Sequence, residues 1–266
     1  MDENTAFWKY DYISGDSLYD IDPHEIKDRV LPFCVAVSVI VGEYEVDFGQ
    51  KTVCVKAGET ILIGSFIKHT VRMTQSGKLT HVHFLYSYAT VDLFHLADVE
   101  HCVVADGEIQ TLLQAVNQCA GMDMVIKKIY TDKVLCELLL VLFHRHIIDS
   151  KKLLIEPRFQ TALAFIHENL DKGITVEETI SACGYTKTVF YQLFQNKMKI
   201  TPHEYIETER FKIASRQLLE GKKVKEVVKA IGFHDISYFN KVFKRKYGMT
   251  PSEYRRKMTY HKGENI

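Results

Sequence analysis

The chain has no apolar run long enough to cross a bilayer. Its longest, Leu138–Phe143, falls far short of the ~20 residues a spanning helix needs. Its N-terminus, Met1-Asp-Glu-Asn, is acidic and lacks the basic stretch and apolar core of a secretory signal. Six cysteines, at positions 34, 54, 102, 119, 136 and 183, show no CxxC pairing, and most sit among apolar neighbours. That excludes a disulfide framework or a zinc site and leaves reduced core residues. Low-complexity segments are absent too. A soluble cytoplasmic protein is expected.

Net charge is absent only on average. Residues 1–150 carry 12 Lys and Arg against 21 Asp and Glu, whereas residues 151–266 carry 22 against 13. An acidic half joined to a basic half suggests that only the second meets a polyanion. Phosphate neutralisation by its Lys and Arg side chains would make such binding salt-dependent.

At 266 residues the chain has room for two domains. Phe7, Trp8, Tyr10 and Tyr12 crowd an N-terminal arm whose element type the pattern leaves open, and Pro23 breaks the chain before Val30. From Leu31 to Tyr88, short β-rich runs alternate with turns at Gly42, Gly49, Gly58 and Gly64, the pattern of an all-β sandwich or barrel. From about Glu108 the period becomes helical. Ile109, Leu112, Leu113 and Val116 share one face, and a longer helix follows from about Met124 to Ile148. Leu135, Leu138, Leu139 and Leu142 belong to an apolar surface wider than one face, which suits either the subunit core or a dimer contact. Domain boundaries are expected at 1–150 and 158–266, with 151–157 as a charged, Pro-bearing linker.

The run Ala230–Arg255 concentrates local signals. Gly232 suits a left-handed helix end, and Asp235 or Ser237 suits the cap of the next helix. Phe239, Val242, Phe243 and Tyr247 recur at helical spacing, with Asn240, Lys241, Lys244, Arg245 and Lys246 on the other side. Gly248 then stops the helix and Thr250-Pro251 opens another. A helix, a tight turn and a helix with a basic outer face is the layout of a helix-turn-helix that enters a major groove. Read alone, it also fits a solvated charged surface. An internal repeat strengthens the first reading: Phe194–Tyr205 aligns with Phe243–Tyr254 at forty-nine residues, and Gly184-Tyr185 with Gly232-Phe233 at forty-eight. Two helix-turn-helix units, at about 175–197 and 224–247, are therefore expected, joined by a helix Pro202–Leu219. Thr175-Val-Glu-Glu178 adds a capping-box signature.

Gly-Phe, Ser-Tyr-Phe, Phe-Lys, Gly-x-Thr-Pro and Tyr-Arg, at these spacings, resemble the AraC/XylS transcription regulators over roughly the last hundred residues. The resemblance implies base contacts from Thr188, Tyr191 and Gln192 in the first reading helix and from Ile236, Ser237 and Lys241 in the second. Lys187, Gln195, Asn196, Lys244 and Arg245 would hold phosphates, which position without specifying. Ile180 and Val228 depart from the family's usual Ala, and Lys199 stands where the second unit has Gly248. The β-rich half resembles, more loosely, the family's cupin-like sensor, through Gly42, Gly49, Gly58-Glu59 and His69.

The expected fold is thus α+β in two domains: a cupin-like β-barrel at about 10–90 with helices at about 108–149, then an all-α double helix-turn-helix. His81 and His83 share a strand face, and with His69, Trp8 and Tyr44 they make a candidate effector pocket. No metal, cofactor or enzymatic activity is expected, since the HxH-then-Glu pattern of enzymic cupins has no counterpart in Val37–Glu43. The function expected is a dimeric activator that answers a small-molecule effector, such as a sugar. Promoter DNA and RNA polymerase are its implied partners, with no membrane. Alternatives are a metal-dependent cupin enzyme with a DNA-associating tail, and a ligand-independent dimeric regulator.

Overall fold

The computed structural model describes residues 8–233 and 235–256, so Phe7 and His234 lie outside the described residues. The described chain divides into two compact units, the first ending at Leu153 and the second beginning at Leu154.

In the first unit, alternating apolar and polar residues build ten strands. They are β1 (Trp8–Ile21), β2 (His24–Arg29), β3 (Cys34–Val41), β4 (Glu43–Asp47), β5 (Thr52–Lys56), β6 (Thr60–Ile63), β7 (His69–Met73), β8 (Gly77–Tyr88), β9 (Val91–Asp92) and β10 (His101–Val104). The aromatic arm, unassigned from sequence, is strand β1, paired antiparallel with β8 from Trp8↔Tyr88 to Ile21↔Gly77. Three helices complete the unit: α1 (Leu93–Ala97), α2 (Gly107–Asn117) and α3 (Met124–His144).

The expected cupin-like barrel is corrected to a sandwich. One sheet runs β1-β8-β3-β6-β10 with β9 on β8, the other β2-β7-β4-β5, and among the described residues no strand pairing joins them. The reason lies in the connections. The chain changes sheet between β3 and β4, between β5 and β6, and again on each side of β7. Strands on either side of each change of sheet therefore face one another across a core instead of hydrogen-bonding round a closed ring. That core takes Val35, Val37, Val39, Ile61, Ile63 and Leu79 from the larger sheet and Tyr44, Val46, Val55, Val71 and Met73 from the smaller. Full burial of each aliphatic side chain contributes about 1.5–3 kcal/mol.

Period-two geometry gives β8 two different faces. His81 and His83 are register partners of Val37 and Val35, and so point between the sheets. Phe84 and Tyr86 point the other way, where α2 and α3 cover the larger sheet. There the Tyr86 hydroxyl donates to the Leu135 carbonyl at 2.6 Å.

The second unit is helical: α4 (Pro157–Glu168), α5 (Val176–Cys183), α6 (Lys187–Met198), α7 (Pro202–Leu219), α8 (Val224–Ala230) and α9 (Ile236–Tyr247). Another helical segment opens at Pro251. Reciprocal Thr–Glu caps open α5 (Thr175 with Glu178) and α7 (Thr201 with Glu204). Thr250 and Glu253 repeat the arrangement ahead of the last segment. Helix α7 is shared by two aromatic clusters. Its Tyr205 packs on Phe194, with ring centres 5.2 Å apart. Its Phe211 stacks on Phe239, with centres 5.3 Å apart and planes 5° from parallel.

Candidate nucleic-acid interface and β-unit interior

The two helix-turn-helix units are α5–α6 and α8–α9, and their second helices present matched outer faces. Thr188, Gln192, Gln195 and Asn196 on α6 are exposed, and so are Ser237, Lys241, Lys244 and Arg245 at the equivalent positions of α9. Lys187 and Ile236 occupy the exposed first turns, whereas Tyr191 is half-buried. The inner faces are closed by Phe190 and Phe194 in one helix and by Phe239, Val242 and Phe243 in the other. Sequence reasoning missed one equivalent pair, Val189 and Tyr238, which are 44% and 49% exposed. Their signal was a large apolar residue lying off the buried stripe. Tyr238 stacks on Phe233, with centres 6.1 Å apart.

Electrostatics differ between the two helices. Lys187 lies 3.9 Å from Glu177, and Arg245 lies 3.7 Å from Glu207. Lys246 is turned back to Glu207 at 3.1 Å, which leaves Lys241, Lys244 and Arg245 as the outward cations of α9. Lys199 takes the left-handed conformation (φ 59°) that Gly248 takes at the same point of the second unit (φ 73°). The two helices thus end alike despite the sequence difference, at a cost for Lys199 of about 1 kcal/mol. Gly232 (φ +71°) does more than end a helix, because a Cβ there would lie 2.8 Å from the Gly173 nitrogen. That contact seats the second unit's turn against the turn that precedes α5.

In the β unit, Tyr44, His69 and His83 are buried and His81 is half-buried. His81 and His83 lie with ring centres 5.0 Å apart, flanked by Phe33 at 4.7 Å from His83 and Phe48 at 6.2 Å from His69. His69 Nδ1 donates to the Ile67 carbonyl at 2.8 Å, and the Ser14 hydroxyl meets His83 Nδ1 at 2.9 Å. Trp8 does not join this group. It is 43% exposed and packs on Tyr88 and Phe143, on the helical side of the sheet. Burial lowers the pKa of His69 to about 4, and that of His81 to about 4 as well. His83 is pushed down by burial and then by the charges of His81, Arg29 and His69. Arg29 is the member that sequence reasoning missed: it is 8% exposed and pairs in register with His69. Among the described residues no group of three or more His, Cys, Asp or Glu side chains is placed to hold a metal ion.

The expected dimer residues Leu135, Leu138 and Leu142 are buried within this unit, and Leu139 is half-buried. The exposed apolar side chains of α3 are instead Met124, Val125, Ile126, Ile129 and Leu140. No described helix is long and apolar enough to cross a membrane.

Comparison with known proteins follows the same division. A helix-turn-helix domain model matches residues 179–257. The "Probable transcriptional regulator LumQ" of Photobacterium leiognathi is 36% identical over 91 residues, covering 34% of this chain and 37% of LumQ. The HTH-type transcriptional regulator AlkR of Acinetobacter baylyi is 28% identical over 135 residues, covering 47% of this chain and 44% of AlkR. The matched stretch thus spans less than half the length of these curated relatives. In fold, the chain resembles unsaturated-fatty-acid-bound ToxT of Vibrio cholerae, with a TM-score of 0.58 at 12% identity over 96% of this chain and 97% of that one. With its β-rich unit followed by a double helix-turn-helix unit, the chain resembles the AraC/XylS-family transcription regulators in architecture.

Proposed function

We propose that the protein regulates transcription by reading promoter DNA with α6 and α9 together, under the control of a small molecule held between the sheets of its β unit. The matched exposure of two reading helices, position for position, is the observation that carries this. Thr188 and Gln192 in α6, and Ile236, Ser237 and Lys241 in α9, are the base-edge candidates, with Tyr191 at the flank. Gln bonds adenine bidentately, Lys reaches guanine acceptors, and Ile packs on a thymine methyl. Lys187, Gln195, Asn196, Lys244 and Arg245 are the phosphate candidates. A dimer formed through the exposed Met124, Val125, Ile126 and Ile129 would bring four reading helices to one site and cover an apolar patch. The resemblance to AraC/XylS regulators implies activation through RNA polymerase. An effector acts only if it binds one arrangement of the molecule more tightly than another.

The test is a mobility-shift titration on the DNA upstream of the protein's own and neighbouring genes, across a range of salt. Lys241→Ala is expected to relax sequence preference by about 1–3 kcal/mol at one position. Lys244→Ala is expected to weaken all sequences alike and to lower the salt slope by about 1. Absence of a specific complex, or binding indifferent to salt, would overturn the proposal.

A further inference from the structure

Arg29 lies inside the β unit because of a bulge. Between Ile26↔Val71 and Arg29↔His69 strand β2 spends one residue more than β7, and Asp28 takes a φ of 53° at that point. An extra residue reverses which side of the sheet the next side chain faces. Arg29 therefore turns inward beside His69 instead of outward to solvent. A second bulge, between Tyr12↔Phe84 and Ser14↔His83, likewise brings Ser14 to the His83 side.

The group so assembled is starved of hydrogen bonds. Arg29 is 8% exposed, its Nε is buried without a partner, and no described carboxylate is paired with its guanidinium. His69 Nε2 and His83 Nε2 are buried without partners as well, in rings 3% and 7% exposed. Asp16 is the carboxylate whose charge is felt in the cluster, at His81, and its Oδ1 accepts the Ser17 amide proton. Tyr44 would favour the Arg29 charge only as a phenolate, and burial raises its pKa and keeps it neutral. Buried polar atoms are normally satisfied, and a buried charge is normally paired.

The unmet needs differ in kind. A guanidinium supplies donors only and matches a carboxylate bidentately. His69 donates its Nδ1 proton to Ile67, so its Nε2 carries a lone pair and needs a donor. We infer that the sandwich interior binds a hydroxy acid, whose carboxylate pairs with Arg29 and whose hydroxyl donates to His69. Phe33 and Phe48 beside the histidines supply apolar walls for its carbon skeleton. This deepens the reading of the β unit as an effector unit and rests on it. It also narrows the ligand from a neutral sugar to an acid bearing a hydroxyl.

Thermal unfolding of the full chain tests this with four probes: galacturonate and gluconate as hydroxy acids, galactose as a neutral sugar, and hexanoate as an acid without a hydroxyl. At least one hydroxy acid is expected to raise the midpoint by several degrees at saturating concentration, by more than either control. Arg29→Met should remove that shift while leaving the unliganded midpoint unchanged or higher, since it deletes an unpaired buried charge. His69→Phe should erase the advantage of the hydroxy acid over hexanoate. Should Arg29→Met fail to fold, Arg29→Lys keeps the charge and loses the fork, with about tenfold weaker binding expected. Galactose matching galacturonate, no shift from either hydroxy acid, or a shift that survives Arg29→Met would each overturn the inference. Salt-dependent DNA binding with no response to either acid would refute the inference alone, whereas stabilisation by an acid without any DNA retardation would refute the regulator reading instead.

Discussion

Arg29 in the β unit and Lys212 in the helical unit are equally buried, each 8% exposed, yet their surroundings are opposite. Lys212 Nζ sits 2.8 Å from Glu209 Oε1, and His167 Nε2 approaches Glu209 from 3.9 Å while meeting the Tyr205 hydroxyl at 3.0 Å. Burial would raise the Glu209 pKa, but Lys212 and then His167 hold it below the usual carboxylate value. Burial pulls Arg29 below the ordinary arginine value, and only Tyr44, itself held protonated by burial, works against that, with no carboxylate to help. One unit has closed its charge network and the other has left it open. The closed network holds the fold together, whereas the open one costs stability and is where we place the proposed ligand.

The sharpest way to break this contrast is to open the closed network. Glu209→Ala removes the carboxylate that Lys212 pairs with in the interior and is expected to cost the helical unit about 3–5 kcal/mol in urea unfolding. Arg29→Met, measured in the same way without ligand, is expected to leave the β unit as stable or more stable by about 1–4 kcal/mol. Equal losses in the two variants would mean that Arg29 is as structural as Lys212, and the contrast would fail.

Acid separates the units more gently. His69 and His81 have folded pKa values of about 4 against about 6.5 unfolded, so the unfolded chain takes up their protons first. Their contribution is complete above about pH 6.5 and falls away as pH drops toward 4, by about 2 kcal/mol each at pH 5. Glu209 is depressed instead, so its contribution persists above its unfolded value near 4.5 and is lost only below that. Between pH 6.5 and 4.5 the β unit should lose this stability while the contribution of Glu209 stays intact. Trp8 is the single tryptophan and belongs to the β unit, so its fluorescence reports that transition while far-ultraviolet dichroism follows the helices.

These differences also mark how far the sequence could be read. The helical unit was legible because its signals are local: Thr175, Thr201 and Thr250 each find a Glu three residues on, and Phe194 and Phe243 repeat at fixed spacing. Even there, Gly232 was legible as a helix end but not as a backbone contact with Gly173, which depends on distant chain. In the β unit, strands between Cys34 and Tyr88 follow their alternation, and the histidines of β8 were placed on one face correctly. Strand β1 escaped because Gly15 and the bulge near Tyr12 interrupt its alternation. Arg29 escaped for the same reason, since a period of two carried past Ile26 assigns it to solvent and only the bulge at Asp28 reverses that. Barrel closure was over-read from turn glycines, which fix where strands end but not which strands pair.

The smallest expected effects lie at the surface, where the two units should behave alike. On the outer face of the smaller sheet, Arg72 bonds Glu25 at 2.6 Å and Asp47 at 3.4 Å, with side chains 29–35% exposed. In the helical unit, Lys246 meets Glu207 at 3.1 Å, with side chains 24–25% exposed. Solvent screens both sites, so Glu25→Gln and Glu207→Gln should each lower stability only slightly, far less than Glu209→Ala. Both losses should shrink further in molar salt. If Glu207→Gln instead approached the cost of Glu209→Ala, pairing of any kind would be stabilising in the helical unit, and burial would not be what distinguishes Lys212. Small, salt-sensitive and matching losses would confine the difference between the units to their interiors, where Lys212 has its acid and Arg29 does not.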